Sequence, residues 1–256
     1  MKEINKINTI YKASVSDSKE VESQVGGPLR SHSEIKRMGE VDSFSSEDMD
    51  RLKIIGSGVQ NSKVLNIFRE LRTQLIQKSK KSNFVCMVSS ICHGGGASYV
   101  ASNLAAAFAL DKTKTSMLID TNLYAPSLEK LIIGDTMAGI TDYLSDSSIS
   151  IKDVVYATGI PRLRVIPIGG NSEGAAEYFS SEKMLNFVEE VKSRYSDRYI
   201  FIDAPPITIS SEARILADII DMVVLVIPHG RVTHEQVVAA IEIVGQEKLS
   251  GLVYNN

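Results

Sequence analysis

The chain has 256 residues, 43% of them hydrophobic, with a formal charge of -3 at neutral pH; that is room for one α/β domain plus a tail. The slight acidity leaves no positive field over the whole chain, so nucleic acid is not expected as a partner. Two cysteines, Cys86 and Cys92, cannot build a disulfide framework or a zinc site and read as reduced thiols of a cytoplasmic protein. Met1 to Lys6 lacks the apolar core of a signal peptide, and no apolar run approaches the ~20 residues that span a bilayer.

Residues 1–57 are rich in Ser, Lys, Glu and Asp without sustained periodicity. Such a segment buries too little apolar surface to offset its ordering entropy, which predicts a disordered or extended tail ahead of a domain over 58–256. A short helix over Ser46 to Leu52 is compatible with this stretch, with Ser46 as its cap and acids in its first turn. From Lys63 to Leu75 the spacing predicts an amphipathic helix with Leu65, Phe68, Leu71, Arg72 and Leu75 on its inner face.

The pattern then alternates. Phe84 to Ser90 predicts a buried strand, Cys92 to Ser98 a loop and Ala101 to Ala109 a buried helix. Thr115 to Asp120 is a strand ending in a carboxylate, and Leu163 to Ile168 a shorter one bounded by Gly169 and Gly170. Ser181 to Tyr195 gives a helix with Met184, Leu185, Phe187, Val188 and Val191 inward. Tyr199 to Asp203 is again a strand ending in Asp. Glu212 to Ile220 is a helix, Met222 to Ile227 a central strand, Gln236 to Gln246 a helix and Leu249 to Tyr254 the last strand. Strands alternating with helices predict an α/β, three-layer fold, a mainly parallel sheet with helices on both faces.

Ligands of such sheets bind beyond the carboxyl ends of the strands, where the glycine loop, Asp120 and Asp203 converge. Three consecutive glycines in isolation make a turn; placed between strand and helix they suit phosphate. Gly94, Gly95 and Gly96 let backbone N–H groups approach phosphate oxygens, and the Ser98 hydroxyl is a magnesium ligand. Ala97 stands where a phosphate-binding loop has its lysine. A cation lost there commonly costs ~100-fold or more in rate, so binding survives more readily than catalysis. Asp120 and Asp203 suit magnesium, directly or through water, although acids at strand ends also cap turns. Cys92 beside His93 has no orienting acid and is not a catalytic pair. The basic run Lys78 to Ser82 reads as a solvated turn rather than a lipid contact. Tyr195 and Tyr199 read as packing residues.

With these positions placed, the chain resembles the bacterial tyrosine kinases, P-loop proteins that accompany exopolysaccharide and capsule export. The resemblance runs from about Asn66 to Asn255. His93-Gly94-Gly95-Gly96-Ala97-Ser98 with Asn103-Leu104-Ala105 matches the family's phosphate loop and helix. Leu118-Ile119-Asp120-Thr121-Asn122-Leu123-Tyr124-Ala125-Pro126 matches its second motif and Ile202-Asp203-Ala204-Pro205-Pro206 its third. Gly139 to Leu144 and Asp218 to Asp221 also match family spacing. Against the family pattern, Ala97 replaces the phosphate lysine, Asn122 an acid, Tyr124 an arginine and Asn66 the glutamate of the oligomer motif, of which Arg69 and Arg72 remain. The chain stops at Asn256 without a tyrosine cluster, Tyr254 standing alone.

The resemblance implies ATP or ADP with magnesium on Gly94, Gly95, Gly96, Ser98, Asp120 and Asp203. It also implies a membrane polysaccharide co-polymerase as partner, a homo-oligomer through Arg69 and Arg72, and a place peripheral to the inner membrane. Two functions are expected: a catalytically impaired nucleotide-binding adaptor, or an active enzyme, either a tyrosine autokinase or a MinD-like ATPase. In the enzyme reading, Arg69 or Arg72 of a neighbouring subunit would replace the missing lysine.

Overall fold

The computed structural model describes residues 43–56, 62–170, 174–194 and 197–256. Among these, seven strands form one sheet: β1 (Val85–Ser90), β2 (Thr115–Asp120), β3 (Tyr156–Ala157), β4 (Leu163–Ile166), β5 (Arg198–Asp203), β6 (Met222–Pro228) and β7 (Leu249–Asn255). Their order is β3-β4-β2-β5-β1-β6-β7. All neighbours are parallel except the edge pair β3 and β4. Every residue of β1, β2 and β6 is buried, as expected of strands covered on both faces.

Alternation along each strand divides the core in two. Val85, Met87, Met117, Ile119, Ile200 and Ile202 face one layer, covered by α4 (Ile140–Ser145), α6 (Glu182–Ser193), α7 (Ser211–Ile219) and α8 (His234–Val244), with α5 (Ala175–Phe179) adding Phe179. Cys86, Val88, Leu118, Phe201 and Val224 face the other, covered by α2 (Ser62–Lys78) and α3 (Ala97–Ala109). Helix α3 is buried over nearly its whole circumference. Its alanines let it lie close against the strands, and Ser116 Oγ donates to the Ala105 carbonyl at 2.8 Å.

Residues 43–56, assigned from sequence to the tail, belong to the folded domain, whereas residues 1–42 lie outside the described residues. Helix α1 (Ser46–Leu52) is capped by Ser45, one residue before the expected Ser46. Ile54 and Ile55 are buried in the α2/α3 layer. The Asn103 amide of α3 fixes this segment, accepting from Ile55 N–H at 2.8 Å and donating to the Lys53 carbonyl at 3.0 Å. Composition missed it because a few scattered side chains (Phe44, Met49, Leu52, Ile54 and Ile55), the Phe44 N–H bond to the Gly159 carbonyl and the distant Asn103, rather than periodicity, hold it down.

Other differences are local. Leu185 is 44% exposed rather than inward. Strand β6 is second from the sheet edge. Helix α3 begins at Ala97, four residues before the apolar pattern, because the glycine loop feeds directly into it. Strand β3 and helices α4 and α5 are too short for periodicity to reveal. Tyr195 lies outside the described residues, and Tyr199 packs against Phe84 and Phe108.

Candidate functional site

The sheet changes winding direction at β1, which has β5 on one side and β6 on the other; the crevice beyond such a strand is where doubly wound sheets bind ligands. Gly94 and Gly96 take positive φ, +65° and +93°, a region that favours glycine. A Cβ on Gly95 would meet Ser90 Cβ at 2.7 Å and the Cys92 carbonyl at 3.0 Å. The loop is thus folded tightly on its own strand. Gly96 caps α3 without a side-chain acceptor, and the first turn of that helix holds no acid. Its early N–H groups and its dipole are therefore available to an anion.

Parallel register sets Asp120 beside Asp203 at the ends of β2 and β5. Their environments differ. Asp120 accepts from Asn122 N–H at 3.0 Å, Ser127 N–H at 3.0 Å and Leu128 N–H at 3.2 Å. Burial still raises its pKa above the ordinary carboxylate range. Asp203 is fully buried and neither oxygen has a hydrogen-bond partner. Burial, with the Asp120 charge added, pushes its pKa up to about 8, and the nearby Ser98 hydroxyl and Lys130 only partly oppose this. Ser98 lies close enough to matter electrostatically but closes no hydrogen bond by distance and angle. An unpartnered buried carboxylate beside a hydroxyl, at the foot of a phosphate-shaped loop, suits a hard cation that brings water and phosphate as its other ligands. Among the described residues no group of three His, Cys, Asp or Glu side chains could hold a metal unaided.

Two donors missed in the sequence hold the loop from its other limb. Arg231, between β6 and α8, donates from Nη1 to the Gly94 carbonyl and from Nη2 to the His93 carbonyl, both at 2.8 Å. Asn255, at the end of β7, donates from Nδ2 to the Gly95 carbonyl at 3.1 Å, and a Cβ on Gly96 would come within 2.1 Å of that nitrogen. Only the sheet order, which sets β6 beside β1 and β7 beside β6, reveals them.

No family model matches the chain. It is 31% identical over 211 residues, 81% of its length and 90% of the relative's, to the tyrosine-protein kinase CpsD of Streptococcus agalactiae. To the tyrosine-protein kinase YwqD of Bacillus subtilis it is 33% identical over 194 residues, 73% of its length and 79% of the relative's. The chain belongs to the bacterial tyrosine-protein kinases. The crystal structure of the kinase domain of Escherichia coli tyrosine kinase ETK shares the fold with TM-score 0.71 at 20% identity, covering 93% of this chain and 95% of that one. The cell-division ATPase MinD of Pyrococcus furiosus shares it more loosely, with TM-score 0.55 at 18% identity over 66% of this chain and 70% of that one.

Of the positions read from the sequence as departures from the family pattern, Asn122 and Tyr124 have local partners. Asn122 Oδ1 accepts from Ala125 N–H at 3.3 Å and closes the turn after β2. Tyr124 is 60% exposed; its hydroxyl lies 3.4 Å from Glu212 Oε1 and its ring sits edge-on to His93. Arg72 Nη1 donates to its own chain's Ala107 carbonyl at 2.8 Å, whereas Arg69 is exposed. Lys80 and Lys81 form the left-handed turn that ends α2, and Lys78 reaches the Leu249 carbonyl. Burial raises the Cys86 thiol to about 12, making it unreactive. Among the described residues no helix is long and apolar enough to cross a membrane.

Proposed function

We propose that the protein is a nucleotide-binding, catalytically impaired adaptor of exopolysaccharide biosynthesis, cytoplasmic and held at the inner membrane by a polysaccharide co-polymerase. The observation that carries this reading is the combination at the head of α3. The loop keeps the glycine conformations and free helix N-terminus that suit phosphate, but its family lysine position is Ala97, 7% exposed and packed in the core. The Ala97 side chain can offer neither charge nor hydrogen bond to a transferring phosphoryl group.

In this reading the N–H groups around Gly94 to Ser98 bind the phosphates of ATP or ADP. Ser98 and Asp203 would hold magnesium, and Asp120 would orient its water shell. The ion would supply charge neutralisation between phosphate oxygens. Asn122 cannot accept a proton as a carboxylate would, which adds to the impairment. The co-polymerase partner and the role in capsule or exopolysaccharide export follow from the family resemblance. Assembly with further copies through Arg69 is part of the same proposal; Arg72, bound within its own chain, braces α2 against α3.

Calorimetric titration with ATP and ADP, with and without magnesium, tests the binding half, and a phosphate-release assay tests the impairment. Binding with turnover at the buffer level is expected. The second reading, an active autokinase or MinD-like ATPase, is favoured by the guanidinium already on the loop. Turnover that disappears in Asp203→Ala would establish it and remove the impairment.

A further inference from the structure

We infer that Arg231 is the cation of this site: the side chain now resting on the loop carbonyls takes the terminal phosphate of a bound nucleoside triphosphate, from within the same chain. The inference rests on the nucleotide-binding reading above.

Strand β6 lies beside β1, so the turn that follows it opens at the end of the sheet where the glycine loop sits. Gly230, at φ +66°, makes that turn tight, and Arg231 reaches the His93 and Gly94 carbonyls from it. A guanidinium has five N–H donors in a fixed fork. Two are engaged here, one on each terminal nitrogen, and each of those nitrogens keeps a second. The group can therefore hold the loop and a phosphate oxygen together.

Charge makes the stronger argument. Among the described residues Arg231 forms no ion pair, and its hydrogen-bond partners are neutral carbonyls. The first turn of α3, at the other end of the same loop, holds no acid and has no side-chain cap. Two positive features thus flank one short loop, a guanidinium without an ion pair and a helix end without an acid of its own, and a polyphosphate satisfies both. The competing cation Arg214 is placed otherwise, bound to the carbonyls of Ile207 and Thr208. Arg231 holds the His93–Gly94 limb, at the opposite end of the loop from the helix N-terminus; in the proposed binding mode the inner phosphates sit on the helix end and the outermost one meets Arg231.

The test is calorimetric titration of the full chain and of Arg231→Gln and Arg231→Lys with ATP, ADP and AMP in magnesium buffer, with melting temperatures recorded alongside. Arg231→Gln should weaken ATP about tenfold and ADP less than threefold, erasing the preference for triphosphate, and Arg231→Lys should recover part of it. Equal losses for ATP and ADP, or none, would overturn the inference and leave Arg231 a brace of the loop. If Arg231→Gln melts early, the ATP-to-ADP ratio of Arg231→Lys decides, since its point charge keeps the preference only if charge at the terminal phosphate creates it. A wild type that binds ADP and ATP equally defeats this inference alone. A wild type that binds neither defeats the nucleotide reading and this inference with it.

Discussion

Asp203 and Asp120 are neighbours in register with unequal surroundings: three backbone N–H groups hold the Asp120 carboxylate, whereas neither Asp203 oxygen has a hydrogen-bond partner, so Asp203 is the more readily protonated of the two. Its folded pKa, about 8, lies above the ordinary 3.8. The folded state therefore binds the extra proton between those values, and this group's contribution to stability is full at low pH and falls as pH rises toward 8. In chelator, Asp203→Asn should melt close to wild type near pH 5 and above it near pH 9; parallel melting curves across that range would mean the carboxylate is ionised and stabilised by something else. Ala97 gives a second prediction. Ala97→Lys should strengthen ATP binding about tenfold, because an ammonium would meet phosphates already held by backbone donors. Asn122→Asp added to it should do more for turnover than either change alone. An unchanged affinity with a lower melting temperature would mean that the alanine side of the pocket has repacked and cannot admit a charge. The glycines, Ser98 and Ala97 were legible as candidates from their neighbours along the chain, and each aspartate from the end of its own strand, although the β2–β5 register is what sets the two side by side. Arg231 and Asn255 were not, since their roles depend on which strand lies beside which.

At the scale of elements, long periodic helices and fully buried strands were readable, and the misses share a cause. Helix α1 and the buried pair Ile54 and Ile55 are held by contacts to α3 nearly fifty residues away. Strand β3 is two residues long and exists through its pairing with β4. Asn103 tests this account. Its amide serves Ile55 N–H, the Lys53 carbonyl and the Tyr99 carbonyl, and the side chain is fully buried. Replacing it by Ala leaves the buried Ile55 N–H without its acceptor, at about 1–3 kcal/mol, and removes a donor from the part-buried Lys53 and Tyr99 carbonyls. Asn103→Ala should thus lower stability by a few kcal/mol in denaturant titrations and speed hydrogen exchange over residues 46–55 before it affects β1. A loss spread evenly over the domain would mean that α1 and α3 unfold together and that Asn103 is one contact among many.

For the whole molecule, the order β5-β1-β6-β7 gathers at one end of the sheet the glycine loop after β1, Asp203 at the end of β5, Arg231 after β6 and Asn255 on β7. Backbone bonds link these parts as well: Ile91 N–H donates to the Val226 carbonyl at 3.3 Å and His229 N–H to the Asn255 carbonyl at 2.8 Å. A ligand seated on the loop would then stabilise three strand ends at once rather than a single turn. At a hundred times its dissociation constant, one nucleotide bound only to the folded state adds ~2.7 kcal/mol. In a domain of this size that raises the melting temperature by roughly 5–11 °C. Millimolar ATP with magnesium should produce a shift of that order, and hydrogen exchange should slow together over residues 92–99, 229–233 and 253–256, with the edge strand β3 unchanged. If protection stops at the glycine loop while the melting shift persists, the nucleotide is held by α3 alone and the ties through Arg231 and Asn255 open on binding. If neither changes, the loop has the shape of a phosphate site without the affinity, and the protein acts through its surface alone.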